Sequence, residues 1–146
     1  MPECIILIGL PGSGKSTYVK NNLPNHAHLS MDGYIDDYAE LFGITYTESF
    51  DLYVEYANKL FRDDVQRVIT NRNNFVVDRT NMSVKSRKSI LAQLPKHYTK
   101  IAYVFNRVIN LDRPGKEISI PTLKKFVDMY EPPTEEEFDI IKEIII

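Results

Sequence analysis

The stretch GLPGSGKST, residues 9–17, sets Gly9 four residues ahead of the run Gly14-Lys15-Ser16. Glycines at this spacing let successive backbone N–H groups turn inward on an anion, and a helix that starts at the lysine adds the positive potential of its N-terminus. Lys15 would reach the terminal phosphates of a nucleoside triphosphate, and the Ser16 hydroxyl would ligate Mg²⁺. Gly12, Ser13, Gly14, Lys15, Ser16 and Thr17 are therefore the candidate binding residues for a nucleoside triphosphate. Lys15 itself is expected at the surface of the cradle, contributing little to the core.

Three further groups would complete a phosphotransferase: an acid for the metal, a base for the acceptor and a cation for the transferred phosphoryl group. Asp78, which ends the apolar run FVVD, is the candidate metal acid; the alternative is an aspartate that only caps the following loop. Asp32, at the end of HAHLSMD, is the candidate general base for an acceptor hydroxyl, or else an Asp-Gly turn residue. Arg113 in DRPGKE, helped by Lys116, is the candidate lid cation, or else part of a solvated basic loop.

These residues need a frame that brings strand ends together. ECIILIG reads as a buried first strand and the motif opens a helix through about Asn21. HAHLSMD is a second strand ending at Asp32, followed by a polar, aromatic stretch with a break at Gly43. The longest helix lies in TESFDLYVEYANKLFRDDVQRVITN, where Phe50, Val54, Ala57, Phe61, Val65, Val68 and Ile69 recur at helical spacing. NNFVVDRTN is the third strand, SVKSRKSILAQLP a helix with a Ser83 start and a Pro95 stop, and KIAYVFNR the fourth strand. TLKKFVDMYEPP is helical up to its prolines, and EEEFDIIKEIII ends in a last strand. Glu135, Glu136 and Glu137 read as a solvated helix start. The alternation predicts an α/β P-loop NTPase fold: a mainly parallel sheet of about five strands, helices on both faces, a short lid, and one domain over residues 1–146.

The chain has 146 residues and a formal net charge of −2, with 18 Lys and Arg against 20 Asp and Glu. That balance does not suit a protein that coats nucleic acid non-specifically. No segment is apolar enough over enough length to span a membrane, and the first strand runs into glycines rather than a cleavage site. Cys4 is the only cysteine; it reads as a small core residue, and the chain as a cytoplasmic protein without structural zinc. There is no N-K-x-D segment to read guanine (NKLF at 58–61 lacks the acid), no D-x-x-G switch after the second-strand region and no ABC-type signature. The chain is also too short for the extra lid of an oligomeric mechanical ATPase, which leaves a compact phosphotransferase.

GLPGSGKST, the SMD after the first helix, VVDRTNMSVKSRKSIL and IPTLKKFVDMYEPPTEEEFDII together resemble the 5′-polynucleotide kinase branch of P-loop kinases, the group of phage end-healing kinases and the kinase domain of polynucleotide kinase/phosphatases. The resemblance runs over nearly the whole chain. It implies transfer of the ATP γ-phosphate to a 5′-hydroxyl of DNA or RNA, with Lys15 and Ser16 on the donor phosphates and metal, Asp32 activating the acceptor and Arg113 acting from the lid. The chain departs from that branch at the acceptor clamp: Met31 and GYIDDYA stand where arginines flank the base. Arg79 occupies a place where some relatives have a second acid and is a substitute cation. The segment between YVFN and RPGK is short, so the lid should be small, and the D-x-D-x-T motif of the phosphatase half is absent.

Cations on offer to an acceptor strand are Arg72, Arg79, Lys85, Arg87 and Lys88, with Lys85 and Lys88 sharing a helix face at i, i+3. Tyr34, Tyr38, Tyr46, Tyr53 and Tyr56 fall on the acceptor side, either stacking on a base or packing with a wet hydroxyl. Three functions stay open: a polynucleotide 5′-kinase, a kinase for a small hydroxyl acceptor such as a nucleoside, nucleotide or metabolite, and an NTP-binding switch or interaction module.

Overall fold

The computed structural model of the chain describes residues 1–106 and 118–145. In order they form β1 (Glu3–Ile8), α1 (Lys15–Asn22), β2 (Ala27–Ser30), α2 (Met31–Phe42), α3 (Tyr46–Thr70), β3 (Phe75–Asp78), α4 (Val84–Leu91), β4 (Thr99–Phe105), α5 (Ile120–Met129) and β5 (Ile140–Ile144). The strands make one sheet in the order β2-β3-β1-β4-β5, and every pairing is parallel.

The apolar run of β1 explains its central place. Cys4, Ile6 and Ile8 pack with Phe61, Val65 and Val68 of α3 and with Ile90 and Leu91 of α4. Ile5 and Leu7 point the other way, onto Val19 of α1. A strand covered on both faces needs apolar side chains at odd and even positions alike, which is why its sequence shows no alternation. Cys4 lies in this core as expected, and burial pushes its thiol pKa well up.

Because the sheet is parallel, β1, β2 and β3 all end on one side. β1 ends in the glycine loop, β3 ends at Asp78, and β2 sits next to β3 with Ser30 paired to Asp78. The crevice beyond these ends is where a doubly wound sheet binds its ligand.

Four local expectations are corrected. β2 stops at Ser30 rather than Asp32, because the Ser30 hydroxyl caps a helix by accepting from Gly33 N at 3.2 Å. Asp32 therefore stands in the first turn of α2, and MDGY is helix rather than an Asp-Gly turn. α4 starts at the Ser83 cap as expected but ends at Leu91, well short of Pro95, where the chain leaves in turns from Gln93 to Ile90 and from Leu94 to Leu91. Glu135–Glu137 form a turn and not a helix start, since the Glu137 carboxylate is drawn inward to Arg87. The break at Gly43 is present as a left-handed helix end, φ 63°.

Candidate active site

The glycine loop follows from tight packing at the end of β1. A Cβ on Gly9 would lie 3.0 Å from both Phe105 Cβ and Ser13 Oγ, so any side chain there would push the loop or β4 aside. Gly12 and Gly14 take left-handed backbone, φ 82° and 92°, a conformation that strains side-chain-bearing residues. α1 then begins with neither a side-chain cap nor an acid in its first turn, and its first backbone bond runs from Tyr18 N to Gly14 O. An anion suits the positive end of such a helix.

Lys15 is not a surface residue. It is 8% exposed, and its Nζ donates to the carbonyls of Gly9 at 2.9 Å and Leu10 at 2.8 Å, tethering the ammonium across the loop. Ser13 tightens the same loop through its N–H, which donates to Leu10 O, while its hydroxyl is buried without a hydrogen-bond partner among the described residues.

Ser16 Oγ donates to Asp78 Oδ2 at 2.6 Å, and His28 Nε2 lies 2.7 Å from the same oxygen. Asp78 is buried. Burial pushes its pKa up, but the hydrogen bonds of His28 and Ser16 and the charges of His28 and Lys15 outweigh it and hold the carboxyl below its ordinary value. An ionised carboxylate on a serine hydroxyl beside a tethered ammonium is a donor set that fits Mg²⁺ and the phosphates of ATP. Asp78 is thus tied to α1 and β2 through Ser16 and His28.

Beside the cradle opens a cleft of about 330 Å³. Ser16 and Lys20 line it from α1, His28 and Ser30 from β2, and Asp32, Asp36 and Asp37 from α2. Tyr46, at the start of α3, donates its hydroxyl to Asp32 Oδ1 at 2.5 Å. Residues 31–58 include seven acids and no Lys, Arg or His, so the α2 wall of the cleft carries negative charge only. Lys20 and His28 are the cations or potential cations of the lining. Neither stood out in sequence, although Lys20 follows Ser16 at i+4 on one helix face.

Residues 4–108 match the protein family described as the AAA domain. The chain belongs to that family. No curated protein matches this AAA-domain chain in sequence. Among solved structures it resembles a chain of the Pnkp1/Rnl/Hen1 RNA repair complex, at 23% identity and a TM-score of 0.66, covering 88% of this chain and 43% of that one. It also resembles a fungal RNA kinase, at 14% identity and a TM-score of 0.54, covering 99% and 74% of the two chains. A gluconokinase from Sinorhizobium meliloti aligns at 16% identity and a TM-score of 0.56, covering 98% and 82%. The chain spans less than half the length of the repair-complex chain, and these likenesses establish a P-loop kinase fold.

Within this AAA-domain fold the other expected cations scatter. Arg72 sits in the turn before β3, at the opposite end of the sheet from the cradle. Arg79 places its guanidinium 5.2 Å from the centroid of the Phe61 ring rather than among the residues lining the cleft. Lys85 and Lys88 are exposed on α4, also outside that lining. Arg87 is no surface cation at all: it is fully buried, paired through Nε and Nη2 with Glu137 at 2.8 and 3.0 Å, and it donates to the carbonyls of Asn81, Met82 and Glu131. Arg113 and Lys116 lie outside the described residues. Tyr38, Tyr53 and Tyr56 pack on one another and on Phe42 between α2 and α3, Tyr34 donates to Asp64, and of the five tyrosines only Tyr34 lines the cleft.

The run Asp78-Arg79-Thr80-Asn81 within VVDRTNMSVKSRKSIL has a structural explanation. Asn81, left-handed at φ 49°, donates from Nδ2 to Leu7 O at 2.7 Å and Arg79 O at 3.2 Å, and Thr80 O accepts from Gly9 N at 3.1 Å. The segment therefore staples the β3–α4 loop to the base of the cradle. Asn81→Ala should lower stability by about 2 kcal/mol, since buried carbonyls lose their donor. Asn81→Gly, which relieves the backbone strain, should lose nearly as much in urea unfolding; full stability of the glycine variant would refute the staple.

Proposed function

We propose that the protein is an ATP-dependent kinase that transfers the γ-phosphate to a hydroxyl seated in the α2 cleft, with the 5′-hydroxyl end of DNA or RNA as acceptor. The observation that carries the kinase reading is the Lys15–Ser16–Asp78 arrangement opening directly onto the cleft that Asp32 lines. Lys15 and the loop amides hold the donor phosphates. Ser16 and Asp78 would hold Mg²⁺, which when bound neutralises charge on the β- and γ-phosphates. Asp32 accepts the proton of the acceptor hydroxyl as its oxygen bonds to the γ-phosphorus; the bond to the β,γ-bridging oxygen breaks and ADP leaves. Arg113, carried over from the resemblance, would meet the transferred group from the lid. Lys20 is the cleft cation available to an acceptor phosphate in place of the arginines that flank the base elsewhere in the branch.

The polynucleotide acceptor is supported by the resemblance over VVDRTNMSVKSRKSIL and MYEPPTEEEF. A small hydroxyl acceptor is the second reading, favoured by the acidic lining from Asp32, Asp36 and Asp37, which disfavours any phosphate held close to the reacting hydroxyl.

The deciding experiment offers γ-labelled ATP and Mg²⁺ with 5′-hydroxyl oligonucleotides of DNA and RNA, nucleoside 3′-monophosphates, nucleosides and 5′-mononucleotides. Label on oligonucleotide 5′ ends, weakening with salt, is the expected result. Label on small acceptors alone would overturn the polynucleotide assignment and keep the kinase. ATP turnover that no acceptor stimulates would favour the switch or interaction module.

A further inference from the structure

His28 was not expected to take part in the chemistry, yet it shares an oxygen with Ser16. In the parallel register His28 pairs with Val76 and Ser30 with Asp78. Side chains two apart along a strand share a face, so His28 and Ser30 lie on the same side of the sheet as Val76 and Asp78, the side that packs against α1. The imidazole reaches two residues along the neighbouring strand to bring Nε2 within 2.7 Å of Asp78 Oδ2. An ionised carboxylate only accepts, so Nε2 is the donor. The Ser16 hydroxyl meets the same oxygen from α1 at 2.6 Å.

These two donors differ in what they can hold. Ser16 belongs to the first turn of α1 and is the hydroxyl assigned to the metal. A carboxylate oriented by that hydroxyl alone would be free to turn about its Cβ–Cγ bond whenever the hydroxyl turned. His28 is anchored on a strand hydrogen-bonded to β3, and its ring has few torsions. It is the group that can keep the carboxylate in register independently of the ligand.

We propose that His28 is a positioning residue for the metal site: its Nε2–H locks the Asp78 carboxylate in the orientation in which it and Ser16 together hold Mg²⁺. The inference rests on the reading of Ser16 and Asp78 as the metal-holding pair. Groups that orient a metal-holding side chain in this way typically change metal affinity or activity by about 10- to 100-fold when removed. The effect should therefore fall on metal affinity, with turnover at saturating metal affected much less.

The test uses the whole protein with ADP and Mn²⁺, reading free metal by electron paramagnetic resonance, alongside ATP turnover titrated with Mg²⁺. His28→Leu should weaken Mn²⁺ binding and raise the Mg²⁺ requirement by roughly 10- to 100-fold, while turnover at saturating Mg²⁺ stays within a few-fold. His28→Gln, whose amide Nε2 can reach Asp78 as a donor, should recover most of the loss, which a merely space-filling role would not predict. His28→Ser, too short to reach the carboxylate, replaces the leucine variant if that one does not fold. Asp78→Asn is the control that separates the two layers of the argument. If Asp78→Asn weakens Mn²⁺ binding and His28→Leu or His28→Ser does not, the role of His28 is refuted and the metal site stands. If Asp78→Asn leaves Mn²⁺ binding intact, the metal reading fails and the inference falls with it.

Discussion

Asp32→Asn should lower phosphoryl transfer by roughly 10²- to 10⁴-fold, the range expected when a general base is removed, while ATP affinity remains near that of the parent protein. The substitution keeps the size and shape of the side chain, so Tyr46 can still donate to its oxygen as it does to Asp32 Oδ1. What disappears is the ability to take the acceptor proton. Asp32 also sits in the first turn of α2, where a carboxylate favours the helix by about 0.3–1 kcal/mol, a loss small enough for the variant to fold. Single-turnover transfer and ATP binding, measured on the same preparation, separate the two effects. Near-full transfer by the asparagine variant would remove Asp32 from the mechanism, and the cleft would need another base.

The largest effect on stability is expected at Arg87. Arg87→Met removes a fully buried guanidinium, leaves the Glu137 carboxylate with Thr134 but no cation, and takes a donor from the carbonyls of Asn81, Met82 and Glu131. Breaking a buried pair from one side costs about 3–5 kcal/mol, because the surviving charge has no partner. In a chain of this size that shifts the thermal midpoint by on the order of 10 °C. The double variant Arg87→Met with Glu137→Leu should regain part of the loss, since no unpaired charge remains. Additive losses in the double variant would mean that the pair is not the source of the effect.

Acid dependence should follow from the same pair. Burial pushes the Glu137 carboxyl up, but the hydrogen bonds and charge of Arg87, with the bonds from Thr134, outweigh it and hold the group below its ordinary value of about 4.5. A group with a depressed folded pKa stabilises the protein above its unfolded value and loses that contribution as pH falls through the folded one. The wild-type chain should therefore lose this increment below about pH 4.5, and Arg87→Met should lack it.

Arg87 also explains where sequence reading falls short. Among SVKSRKSIL, Lys85, Arg87 and Lys88 look alike as the basic side of an amphipathic helix. Yet Arg87 recurs with Ile90 and Leu91 at i+3 and i+4 on the buried face of α4, while Lys85 and Lys88 are exposed. That spacing was a signal of burial, but its partner Glu137 lies 50 residues further on and in an unexpected turn. The MYEPPTEEEF ending that supports the family resemblance thus owes part of its form to holding a buried arginine.

The glycine cradle, the all-apolar strand before it and the acid ending β3 were legible from sequence because each depends on contiguous residues. Left-handed glycines, the uncapped start of α1 and the two-sided burial of β1 are set within a few positions along the chain. β2 ends two residues before the sequence suggests because the Ser30 cap on Gly33 N starts α2 there. What only the tertiary structure decided is which side chains meet across elements: His28 from β2 on Asp78, Tyr46 from α3 on Asp32, Lys20 from α1 at an acidic wall, and Arg87 turned inward on Glu137. Those meetings depend on sheet register and helix facing, which arise from packing the whole core and leave little trace in any short run of residues.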